Sequence, residues 1–284
     1  MSTLLKPKFT INQDCKKFFS SQFDFFLIGR KKVVFAYSGG LDSTVVLHLL
    51  NNLCKERGLR LVCFTVNHGF KGTKTMENIK RVINFEGLND SYYLLDISDM
   101  LVSKGVTVMD YFADFCKKNI VPCGVKCNKI VHGLYKKVLD DFGENYLITG
   151  GDTPIWDEGL ENYSIFWNKQ GYIVVRGGVV FGLTKEKNKQ FIKSNKVPWK
   201  DPGCGGYDTD CLIPGGILRG MVERGDSVDQ IHKAVPQIKE YLENRKNVGV
   251  IDNNQFVKGM KKISFSNDES FVEFRNIIFR NRKK

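Results

Sequence analysis

Over one short span the chain passes from an apolar run, Val33-Val34-Phe35-Ala36, through Ser38-Gly39-Gly40-Leu41-Asp42-Ser43, into Thr44-Val45-Val46-Leu47-His48-Leu49-Leu50. This order predicts a buried strand, a tight turn and a helix that begins at or near Asp42. Two adjacent glycines let the backbone turn without Cβ clashes and approach a ligand closely. The first amides of a helix have no intrahelical acceptor, and the helix dipole makes that end positive. Together with the turn amides they form a nest for an anion. Ser38, Ser43 and Thr44 add hydroxyl donors. No Gly-Lys-Ser/Thr follows at the spacing of a Walker loop, so this is a phosphate pocket of another kind.

The rest of the chain repeats the alternation of strand and helix. Strands are expected at 61–66, 92–96, 146–150 and 173–176, and helices at 43–57, 74–87, 107–118, 128–142 and 184–195. This pattern predicts an α/β fold, a doubly wound parallel sheet of Rossmann-like type. Ligands of such sheets lie beyond the carboxyl ends of the strands, at the switch point. Asn67-His68-Gly69, Asp96 and Gly150-Gly151-Asp152-Thr153 are strand-end loops of this kind. Residues 1–30 read as an N-terminal helical segment, 31–215 as the α/β domain with a cysteine-bearing insert, and 216–284 as a C-terminal helical extension. Within the extension, 227–246 is helical with a break at Pro236, and 263–265 and 271–274 are strand-like.

The Ser38–Ser43 pattern resembles the signature of the PP-loop ATP pyrophosphatases, the adenine nucleotide alpha-hydrolase-like (HUP-type) family. The resemblance implies binding of ATP with Mg2+, with Ser38, Gly39, Gly40, Asp42, Ser43 and Thr44 around the pyrophosphate and Asp42 serving the chemistry. A substrate carbonyl oxygen would attack the α-phosphorus and release pyrophosphate. It also implies Val66, Asn67 and His68 near the adenine end, and Gly150 and Gly151 near the ribose or α-phosphate. Many relatives carry Gly-His where this chain has Gly-Gly-Asp. Asp152 is therefore open between holding Mg2+, positioning substrate and capping a helix. Lys71, Lys74 and Lys185 are candidates to neutralise phosphate, each with solvated surface lysine as the alternative. Asp208 and Asp210 are open between Mg2+ and a turn cap. His48 reads as packing, and His132 follows the first cysteine pair.

Eight cysteines in a chain read as cytoplasmic point to metal or thiol chemistry before disulfides. Cys54 and Cys63 lie in apolar runs and read as small core residues. Cys123 and Cys127 in Pro122-Cys123-Gly124-Val125-Lys126-Cys127-Asn128 precede a helix, and Cys204 and Cys211 form a second pair. The first pair resembles that of the PP-loop tRNA thiolation enzymes, although its spacing is one residue longer. The second resembles, in position, the distal cysteines of the same superfamily, which include zinc-binding deazaguanine nitrile synthases. A structural Zn2+ site, a [4Fe-4S] cluster and metal-free catalytic thiols, with Cys123, Cys127 and Cys211 acting, all stay open. Lys126 is placed to lower a neighbouring thiol pKa.

The formal net charge is +12, which calls for a polyanionic partner beyond ATP. The expectation is thiolation of tRNA or of a nucleobase or other small-molecule substrate, with a sulfur-donor protein. The alternative is an amidotransferase on a nucleotide sugar with an ammonia-donor protein, since 60–97 and 148–151 are similar to N-acetyl sugar amidotransferases. A regulatory module that has lost the chemistry is the third reading, and the intact loop argues against it. No run of about 18 apolar residues is present, so no membrane span is expected. A homodimer is an open expectation.

Overall fold

The structure is a computed structural model. It describes residues 27, 29–69, 71–97, 127–151, 165–201, 221, 224–227 and 230, with side chains in the 127–151 stretch from residue 131 onward. The helix expected at 107–118, Asp152, Cys123, Cys204, Cys211, Asp208, Asp210 and the elements expected beyond 230 lie outside these residues.

Strand β1 (Lys32–Ala36) leads to helix α1 (Leu41–Glu56), then β2 (Arg60–Asn67), α2 (Thr73–Glu86), a 3-10 turn at Asn89–Ser91 and β3 (Tyr92–Asp96). After the insert come α3 (Cys127–Asp141), β4 (Tyr146–Thr149), β5 (Ile165–Trp167), β6 (Ile173–Arg176), a short α4 (Gly177–Val180) and α5 (Lys185–Ser194). The strands form one sheet in the order β3-β2-β1-β4-β6-β5. β1 is parallel to β2 and to β4, and β4 is parallel to β6. The expected α/β architecture is therefore present, and 173–176 is its sixth strand in chain order. β5 runs antiparallel to β6, an edge strand of three residues that is too short to leave a periodic signal. Antiparallel edges on otherwise parallel sheets are common.

The chain folds into two compact units. The first comprises Met1–Thr65 with Arg81–Tyr93 and Leu134–Trp199, and the second Val66–Lys80 with Leu94–Gly133 and Lys200–Lys284. The first unit holds the sheet core. Val33, Val34, Phe35, Val62, Cys63, Phe64, Leu147, Ile148 and Val175 are fully enclosed, as expected of central strands covered on both faces. Val45, Val46, Leu47 and Leu50 of α1 close the core, and α1 packs against α4 and α5. In the second unit, Asn78 accepts from the Lys200 amide through Oδ1 at 3.0 Å. Among the described residues no helix is long and apolar enough to cross a membrane.

His48 packs, as expected from the sequence. Its ring lies 5.4 Å from Phe191 and 6.3 Å from Phe85, and Nδ1 is 2.7 Å from Glu86 Oε1. Asn51 Nδ2 donates to Glu86 Oε2 at 2.8 Å and to its carbonyl at 2.9 Å. Glu86 thus ties the last turn of α2 to α1 with a carboxylate that is only 3% exposed. Glu86→Ala removes the carboxylate acceptor of the buried Asn51 side-chain amide and the partner of His48 Nδ1. It is expected to cost about 2–3 kcal/mol of stability, read as a lower urea midpoint. An unchanged midpoint would make the pair dispensable.

Candidate functional site

The sheet order reverses between β1 and β4, the two strands that meet at the switch point. Both of their carboxyl-end loops belong to the first unit. Gly39 has φ +87°, a conformation open to glycine and strained for side chains. Gly40 is the N-cap of α1 with extended backbone, and no side chain caps the helix. Because the N-cap is a glycine, the first-turn amides of α1 receive no side-chain cap from it. That chemistry fits an anion.

The loop hydroxyls are turned inward. Thr44 Oγ1 donates to the Gly40 carbonyl at 2.8 Å and accepts from Tyr37 OH at 3.0 Å. Ser43 Oγ donates to the same carbonyl at 3.0 Å and meets Ser38 Oγ at 2.9 Å. Ser38 Oγ in turn accepts from the Gly40 amide at 3.2 Å. These bonds fix the turn. Burial pushes the Tyr37 phenol far above its ordinary pKa, so it stays a neutral donor to Thr44.

Asp42 stands in the first turn of α1, and α5 reaches it. Lys185 pairs with Asp42 Oδ2, and Asn188 Nδ2 donates to Asp42 Oδ1 at 2.6 Å. Thr184 caps α5 by accepting from the Lys187 amide at 3.3 Å, which places Lys185 and Asn188 one turn apart on one face. Past the end of α5, Trp199 Nε1 donates to the Gly39 carbonyl at 3.0 Å. Sequence reading named Lys185 and missed Asn188 and Trp199. The available signal was an asparagine, a weak helix former, in the middle of a helix.

Gly150 lies against α1. A Cβ there would stand 2.3 Å from Ser43 Cα and 2.7 Å from Ser43 N, so the end of β4 can touch the loop only through glycine. The sequence suggested a ligand contact at Gly150, and the structure adds a packing reason for the same residue. A Cβ at Gly151 would lie 3.3 Å from Arg176 Nε, which puts a guanidinium beside the β4 end.

Val66, Asn67 and His68 belong to the second unit. Val66 is buried. Asn67 Nδ2 donates to Asp96 Oδ2 at 2.8 Å, and its Oδ1 accepts from the Gly69 amide at 3.1 Å. Its carbonyl accepts from the Ile97 amide at 2.8 Å. Lys71, in this unit, is buried. Burial lowers the pKa of His132. Cys127 opens α3. Among the described residues no group of three or more His, Cys, Asp or Glu side chains is gathered to hold a metal.

Cys54 and Cys63 are free, buried thiols. Burial pushes Cys54 up to about 12 and Cys63 well above its ordinary value. Raised in this way, both thiols stay protonated and unreactive near neutral pH. Both are expected to stay unlabelled by a thiol reagent in the native protein, as read by mass spectrometry. Early labelling of either would contradict the core assignment.

Residues 7–86 match the PP-loop domain family, so this part of the chain is a PP-loop domain. An uncharacterized protein of Methanocaldococcus jannaschii is 26% identical over 196 residues, which cover 69% of this chain and 63% of that protein. The tRNA-specific 2-thiouridylase MnmA 1 of Aliarcobacter butzleri is 35% identical over 127 residues, 43% of this chain and 35% of that enzyme. The chain thus spans less than two thirds of either relative. Among solved structures, the U34-tRNA thiolase NcsA from Methanococcus maripaludis with its [4Fe-4S] cluster aligns at a TM-score of 0.49. It shares 15% identity over 84% of this chain and 88% of that one.

Proposed function

We propose that this chain, through its PP-loop domain, is an AMP-forming enzyme that activates a carbonyl oxygen of tRNA with ATP and replaces it with sulfur. The observation that carries the reading is the uncapped amide end of α1 behind Gly39 and Gly40, with Asp42 in its first turn. It suits the pyrophosphate of ATP. In the first step the substrate carbonyl oxygen bonds to the α-phosphorus and pyrophosphate leaves. In the second a sulfur nucleophile bonds to the activated carbon and AMP leaves with the former carbonyl oxygen.

The work of the chain in the first step is positioning and charge stabilisation. The loop amides would take the pyrophosphate oxygens, and Lys185, which pairs with Asp42, would offset charge on the leaving group. Asp42 is the one loop carboxylate, and Mg2+ brought in by ATP would supply further charge neutralisation. Cys123, Cys127, Cys204 and Cys211 would handle the sulfur, whether as thiols, around a [4Fe-4S] cluster or with Zn2+ in a structural role. The net charge of +12 suits tRNA as the substrate in the cytoplasm. Similarity to a 2-thiouridylase over 127 residues supports sulfur over ammonia.

The test uses protein purified without oxygen, α-labelled ATP, bulk tRNA and sulfide. The expected result is AMP and pyrophosphate released only with tRNA, and sulfur incorporated into it. Cys127→Ser should keep pyrophosphate release and lose sulfur incorporation. Nitrogen incorporated from ammonia would favour the amidotransferase, and ATP left intact with every substrate would defeat both. Iron and sulfide in the purified protein would favour the cluster, and zinc the structural site.

A further inference from the structure

Asn188 has no exposed surface. Its Nδ2 donates to Asp42 Oδ1 at 2.6 Å, while its Oδ1 is buried and meets no donor among the described residues. A buried acceptor without a donor lowers stability, and asparagine in a helix interior lowers helix propensity. A leucine would fill similar space without either cost. The position therefore carries two local penalties for one strong contact, and that contact is with the loop carboxylate.

We propose that Asn188 is a positioning residue for the pyrophosphate-releasing step. Asp42 offers two oxygens, and α5 takes one with Lys185 and the other with Asn188. Lys185 is half-exposed, and the long stem of a lysine has the reach to turn toward an incoming phosphate. Asn188 is enclosed and cannot follow it. When Lys185 moves, Asn188 keeps the carboxylate in place. Trp199 acts in the same direction by holding the Gly39 carbonyl, which fixes the turn between the two glycines. Preorganised groups need no reorganisation as charge develops. This inference rests on the chemistry proposed above, in which Asp42 serves the release of pyrophosphate.

The test is Asn188→Leu in the full chain. The expected result is a thermal midpoint close to that of the wild type, because relief of the unpaired Oδ1 and the better helix propensity of leucine offset the lost bond to Asp42. Its kcat for tRNA-dependent pyrophosphate release should fall at least tenfold, with the KM for ATP changing less than threefold. Trp199→Phe keeps the ring and removes only the N–H, and should lower kcat threefold or more in the same manner. A second readout does not use activity. The Asn188 side-chain amide resonance, identified by its loss in Asn188→Leu, should move in Asp42→Asn, which replaces a charged acceptor by a neutral one.

Wild-type kcat in Asn188→Leu would overturn the proposal. So would a lowered midpoint with activity lost only in proportion to unfolded protein, or an amide resonance that ignores Asp42→Asn. A wild-type protein that releases no pyrophosphate would overturn the proposed chemistry instead. The amide signal would then still decide whether Asn188 holds Asp42 in solution.

Discussion

Asp42→Ala is expected to lower tRNA-dependent pyrophosphate release by at least about a thousandfold, roughly 4 kcal/mol of barrier. Alanine at 42 strips the fully buried Asn188 Nδ2 of its acceptor, next to an Oδ1 that meets no donor among the described residues. A cost of about 1–3 kcal/mol in stability should accompany the loss of activity. Asp42→Asn keeps the shape and one acceptor, and so separates charge from packing. If charge matters, asparagine is nearly as inactive as alanine and far more stable. Gly39→Val tests the same loop through its backbone, because valine at φ +87° is strained. Normal pyrophosphate release in either Asp42→Ala or Gly39→Val would remove the loop from the mechanism.

The second large effect is expected at Gly150. Gly150→Ala places a Cβ 2.3 Å from Ser43 Cα, and backbone rather than a flexible side chain must yield. Overpacking of this kind costs about 1–3 kcal/mol, occasionally more. The strain falls on the start of α1, so pyrophosphate release should drop at least tenfold alongside the midpoint. Gly133→Ala is the matched control. Gly133 lies inside α3 with nothing within 4 Å of its added Cβ, and alanine there should raise stability by up to about 1 kcal/mol. Urea unfolding of the two variants, with shifts of opposite sign, checks the assignment. An unperturbed Gly150→Ala would mean that β4 and α1 do not meet as described.

What the sequence disclosed follows from the range of the interactions involved. The Ser38–Ser43 turn was legible because its cause is local: glycine backbone freedom, a strand before it and a helix after it. β1, β2, β4 and β6 were legible because central parallel strands are apolar throughout. β5 was not, since three residues ending in the exposed Trp167 carry no periodicity. Asn188 and Trp199 were hidden for another reason. They act on Asp42 and Gly39 from 146 and 160 positions away, and nothing beside them in the sequence marks the partner. Gly150 was noticed for its place after a strand, but its steric reason needed the Ser43 backbone opposite.

The pairing of β1 with β4 also bears on how the protein reaches its native state. Tyr146 OH donates to the Lys32 carbonyl across 114 positions, and the same long closure brings Gly150 to Ser43. Such contacts come with a large loop-closure entropy and are slow to form. The turn after β1 can form early as a local structure, whereas its finished shape waits for β4 to dock. Refolding followed by helix signal should therefore run ahead of refolding followed by nucleotide affinity. ATP added during refolding would stabilise only molecules that have already closed the sheet.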